Sequence, residues 1–138
     1  MKIVNTPLIE SYRTGGPCRW CNKKVRMRCA AHIFSKGAGQ VDIKCNLVQL
    51  GMDALTDCPC HTYSHNGHPP TFDDLLAISA KDHRRRPEDI VQLIHFIRRL
   101  PKWTTAFGFV GAAKAQLDVH ARALAMLEYE GFRRILPE

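Results

Sequence analysis

From residue 71 onward the apolar positions recur at helical spacing and predict three helices. Thr71 can cap the first, with Asp74 three residues on, and Phe72, Leu75, Leu76 and Ile78 form its apolar stripe. The second opens at Pro87 with Glu88 and Asp89 beside it, and Ile90, Leu93, Ile94 and Ile97 follow the i, i+3, i+4, i+7 rule. It should stop before Pro101, with Arg98 and Arg99 in its last turn. A third is expected over residues 112–135, with Leu117, Ala121, Leu124 and Leu127 on one side and Gly131 weakening its end. Packing accounts for these helices most simply. Contact with DNA or with a second copy of the chain stays open. Arg84, Arg85 and Arg86 read as a solvated link between the first two helices, with phosphate contact as the alternative.

The pattern before residue 70 is different. It is rich in Cys, His, Gly and basic residues, and its apolar runs are short. Residues 26–34 read as a strand, and residues 35–39 as a turn, because glycine tolerates positive φ. Residues 40–50 should return as a second strand or an extended loop. The expected fold class is therefore α+β, with a small core over residues 1–80 and a helical extension over 81–138.

Composition narrows the classes. At 45% hydrophobic, the 138 residues have a globular rather than a disordered make-up. The formal net charge is +7, and Arg13, Arg19, Lys23, Lys24, Arg26 and Arg28 form a run without an acid. Such a balance suits a polyanionic partner. Residues 1–16 lack the apolar stretch of a secretory signal, and no run is long enough to span a membrane. A reducing cytoplasm is the expected setting, where closely spaced cysteines serve as metal ligands or free thiols.

The candidate chemistry lies in that first half. Cys18-Arg-Trp-Cys21 follows a Gly-Gly-Pro turn, and Cys58-Pro-Cys60 supplies a second pair. Two such pairs can close one tetrahedral zinc site. A redox CxxC is the rival, without a thioredoxin-like pattern around it. Cys29 and Cys45 read as free thiols. His61-Thr-Tyr-Ser-His65 would place both imidazoles on one face of a helix, where they can share a metal. His32 and Asn46 are bland when taken singly.

Taken in order, these parts resemble the His-Asn-His (HNH, ββα-metal) endonuclease family. The chain has the CxxC, then Ala-His32-Ile, a glycine-containing turn, Asn46-Leu-Val-Gln-Leu, and Cys60-His61 followed by His65. The likeness covers roughly residues 15–70. It implies a small ββα-metal core with a zinc knuckle, followed by C-terminal helices. His32 would be the general base, Asn46 the residue holding the loop, and His61 and His65 the ligands of one catalytic Mg²⁺, Mn²⁺ or Zn²⁺. Cys18, Cys21, Cys58 and Cys60 would hold a structural Zn²⁺. Arg19, Lys23, Lys24, Arg26, Arg28 and Lys36 would meet the phosphates of duplex or branched DNA. The family also suggests a phage origin, hence a host cytoplasm.

Many members carry a ligand just before the base, where this chain has Ala31, so water or an acid such as Asp57 would complete the ion's shell. Gly51 stands where some members have the first Cys of the second pair. His65 and His68 are an alternative metal pair. A zinc-knuckle protein that binds nucleic acid without cutting it is the alternative function, and a purely structural zinc protein is a third.

Overall fold

A computed structural model describes residues 2–53 and 57–99, and in the C-terminal part residues 108–109, 125–126, 128–131 and 133–134. It is a small mixed α+β protein. Asn5 caps a short helix, α1 (Thr6–Ser11), by accepting a hydrogen bond from the Leu8 N–H at 3.1 Å. Strands β1 (Gly16–Pro17) and β2 (Lys24–Val25) pair antiparallel around the Cys18–Cys21 turn. Strands β3 (Arg28–His32) and β4 (Leu47–Gly51) form the second antiparallel pair, in register from Arg28↔Gly51 to His32↔Leu47. Helix α2 (Cys60–His65) follows and packs against both strands.

The sequence expected a strand over residues 26–34 and a strand or an extended loop over 40–50. β3 occupies only the middle of 26–34, and only the end of 40–50 becomes β4. The backbone of the intervening loop is engaged elsewhere. It forms 3₁₀ turns at Lys36–Ala38 and Lys44–Asn46, and Val41 bridges Ile3 of the N-terminal segment.

Local signals set the next two helices. In α3 (Phe72–His83) the Thr71 hydroxyl accepts from the Asp74 N–H, and the Asp74 carboxylate accepts from the Thr71 N–H at 2.8 Å. Two orphan donors are thereby satisfied. Arg84, at φ 53°, ends the helix. Helix α4 (Pro87–Arg99) starts on its proline and two acids and finishes on Arg98 and Arg99. Its Ile90, Leu93, Ile94 and Ile97 are fully buried in one cluster with Val48 and Leu50 of β4 and with Ile43. Ser79 of α3 donates to the Cys45 carbonyl at 2.6 Å, which fastens the helix to the turn preceding β4.

The third expected helix lies largely outside the described residues. Its described end corrects the expected boundary at residue 135. Residues 125, 126, 128 and 129 are helical, but Gly131 adopts φ 94° and Arg133–Arg134 form strand β6, parallel to β5 (Gly108–Phe109). A glycine in that region of φ turns the chain out of the helix. The segment docks on the core through Glu130, whose carboxylate accepts from the N–H groups of Lys44 and Cys45 at 2.7 and 2.8 Å. Among the described residues no helix is long and apolar enough to cross a membrane.

Candidate functional site

The two cysteine pairs meet. Cys18 and Cys21 sit on the turn closed by β1 and β2, where the Cys18 N–H bonds the Lys23 carbonyl and the Asn22 N–H bonds the Cys18 carbonyl. Cys58 is bridged antiparallel to Asp53, and Cys60 opens α2. The four sulfurs lie within 4.8 Å of one another, with Cys21–Cys58 at 3.4 Å and Cys58–Cys60 at 3.8 Å. A tetrahedral zinc with Zn–S near 2.3 Å separates its sulfurs by roughly 3.8 Å, so the gathering has the right size for one ion.

The electrostatics agree with metal binding. Burial alone would raise the Cys18 thiol, but the N–H groups of Gly51, Cys21 and Trp20 directed at its sulfur bring it down to about 7. Burial and the neighbouring Cys21 sulfur push Cys58 up to about 11, and burial drives Cys60 further up. Four adjacent thiols cannot all ionise in a buried place unless a cation compensates them. Gly51 is the residue that lets the pairs close. A Cβ there would lie 2.5 Å from the Cys58 sulfur and 2.9 Å from a Val25 methyl.

Cys45 is buried and unpaired, and burial with the nearby Glu130 carboxylate keeps its thiol protonated. Cys29 is half-buried and also free.

His32 and His65 line a separate cleft of about 400 Å³, together with Ser35, Lys36, Ser64 and Phe72 among others. His61 and His65 are one turn apart on α2, and their Nε2 atoms are 3.2 Å apart. Two imidazoles bound to one ion at roughly 2.1 Å would hold their nitrogens about 3.0–3.4 Å apart, so the pair fits a shared divalent cation. Burial, then electrostatic repulsion from the neighbouring His65, His32 and Lys36, lowers the His61 pKa and favours the neutral ring a metal needs.

Among the described residues the four cysteines are the one group of three or more potential ligands held this close; the histidine pair has no third member. Ala31 is buried in the core, and Asp57 is exposed and pairs with Lys23 at 3.6 Å. His68 sits in the loop before Pro69, with its ring 5.2 Å from that of Tyr63.

His32, at the end of β3, has its Nε2 2.7 Å from the Asp42 carboxylate. Asn46 is fully buried at the opposite end of the loop. Its amide nitrogen donates to the Val41 and Phe34 carbonyls at 2.8 and 3.4 Å, and its amide oxygen accepts from the Phe34 N–H at 2.8 Å. One side chain therefore ties the start of the loop to its end, directly behind His32.

Most of the six expected phosphate contacts have intramolecular partners. Arg19 grips Asp82 of α3 through two nitrogens, Lys23 donates to the Asp57 carbonyl, and Arg26 faces Asp53 at 3.5 Å. Arg28 donates to the Thr14 and Gly15 carbonyls and to the Thr14 hydroxyl. Lys24 is exposed, and Lys36 lines the cleft.

Sequence reasoning missed Asp42 and Arg98. Asp42 is an acid between two apolar residues, Val41 and Ile43, and a lone acid within an apolar run was the available signal. Arg98 of α4 donates to the Ser35 and Gly39 carbonyls and lies 5.4 Å from the centre of the Phe34 ring, bracing the loop from outside. Nothing in its helical spacing marked it. Comparison of the chain with protein-family models, curated proteins and solved structures finds no match.

Proposed function

We propose that the protein is a metal-dependent endonuclease of the His-Asn-His type, hydrolysing phosphodiester bonds of DNA, duplex or branched. The observation that carries this reading is that an antiparallel strand pair followed by a helix brings His32 and His65 to one cleft, with His61 in contact with His65 one turn before it. Asn46 supports it from behind by fastening the loop that follows His32.

The chemistry follows from what each side chain can do. With Nε2 turned to Asp42, His32 has Nδ1 left to accept a proton from water. The water oxygen then bonds to phosphorus as the bond to the 3′ oxygen breaks, and the proton rests on the imidazole. Lys36 brings positive charge to the cleft where the phosphate would lie. His61 and His65 would hold the divalent ion, which supplies charge neutralisation at the phosphate and at the departing oxygen. The cysteine group would hold a second, structural zinc, compensating for a small core around β1 and β2.

A second reading is a zinc-knuckle module that binds nucleic acid without cutting it. It is favoured by the absence of a third ligand beside His61 and His65 among the described residues. Supercoiled plasmid incubated with EDTA, Mg²⁺, Mn²⁺, Ni²⁺ or Zn²⁺ separates the two. The nuclease nicks it only with an ion, and His61→Ala and His65→Ala each reduce nicking while DNA binding is retained. Salt-sensitive binding with no nicking in any ion selects the second reading.

A further inference from the structure

We propose that Asp42 is the positioning residue of His32: its buried carboxylate holds the ring with the proton on Nε2, so that Nδ1 is presented to the cleft as a base. The catalytic part of this inference rests on the nuclease reading. The structural part does not.

The geometry leaves Asp42 one role. Its side chain is completely buried, and both oxygens are occupied. Oδ1 takes His32 Nε2 at 2.7 Å and Gln40 Nε2 at 3.1 Å; Oδ2 takes the Asn5 N–H at 2.8 Å and Gln40 Nε2 at 2.9 Å. A carboxylate without exposure or a free direction cannot reach a metal or a substrate in the cleft. It can only act through the ring it touches.

The surroundings fix its orientation. The Ile3 N–H bonds the Gln40 carbonyl and the Asp42 N–H bonds the Ile3 carbonyl, so the N-terminal segment brackets Asp42 on the backbone. The Asn5 N–H that meets Oδ2 belongs to the same segment, next to the start of α1. It is a main-chain donor and cannot reverse its polarity. Every group facing the carboxylate other than His32 is a donor, so the carboxylate is ionised and must accept from His32. Nε2 therefore carries the proton of the neutral ring. During water activation the proton passes from water to Nδ1, and the resulting cation is stabilised by the carboxylate already in contact.

The fixed Asn5 donor gives Asp42→Asn a definite outcome. The amide must turn its oxygen to the Asn5 N–H, which points its NH₂ at His32. Nε2 must then accept, the ring proton moves to Nδ1, and the nitrogen facing the cleft is no longer a base.

The test is the ring-nitrogen NMR spectrum of ¹⁵N-histidine-labelled, zinc-loaded protein, with His32 assigned by its loss in His32→Ala. The wild type should show neutral His32 with Nε2 protonated and Nδ1 bare, and Asp42→Asn should show the reverse. In plasmid cleavage, Asp42→Asn should lower kcat by about 10²- to 10⁴-fold with KM unchanged. A wild-type His32 protonated on Nδ1 overturns the proposal, and that measurement needs no variant to fold. An unchanged tautomer in a folded Asp42→Asn protein also overturns it. Absence of cleavage by the wild type removes the nuclease reading and the catalytic half of the proposal, while the tautomer still decides what Asp42 does to His32.

Discussion

His32 and Asn46 show how little a single residue type reveals and how much its partners decide. Both stand out in the sequence as candidate site residues only through the order of the motif. Asp42 was not, because its contact with His32 depends on a loop that bends back ten residues later and on an N–H from the distant Asn5. Its titration gives a residue-scale prediction. Burial alone would raise the Asp42 pKa, but the hydrogen bonds from His32, Asn5 and Gln40 outweigh it and hold the carboxyl below its ordinary value. A folded pKa below the unfolded one means that the stabilisation is complete above about pH 4 and is lost as pH falls below it. Urea unfolding from pH 7 to pH 3 should show the wild-type advantage over Asp42→Asn shrinking through the acid end of this range. A constant difference would show that the carboxylate is not held in its charged form.

At the scale of elements, the legible parts were those set by neighbours in sequence. The Thr71–Asp74 cap and the Pro87 start are complete within one turn, and both helices begin there. The cysteine spacing was sufficient to pair Cys18 and Cys21 with Cys58 and Cys60. The length of β4 and the end of the C-terminal helix were not legible. They depend on Val41 pairing with Ile3 and on Gly131 turning into a strand. Gly51 belongs to this scale, since it is the point where β4 passes the four clustered cysteines. Gly51→Ala puts a methyl against the Cys58 sulfur and Val25, and overpacking of this kind costs about 1–3 kcal/mol. Zinc retention should weaken by about 5- to 150-fold in a chelator competition. Retention equal to wild type would mean the two cysteine pairs are not held as close as described.

Across the molecule, α4 and the cleft are one mechanical unit. Leu93 is fully buried in the cluster that includes β4, while Arg98 on the same helix grips the loop beside His32. Leu93→Ala should therefore cost about 2–5 kcal/mol, visible as a lower urea midpoint for a single transition. A separate early transition, with zinc retained, would instead make α4 independent of the core. The proposed activity depends on His32 as the base of a nuclease. The most direct measurement is cleavage of supercoiled plasmid in a divalent ion by wild type and by His32→Ala, each verified as folded, zinc-loaded and DNA-binding. The wild type should nick and His32→Ala should not rise above background; equal nicking by both, or none by either, would contradict His32 as the base of a nuclease.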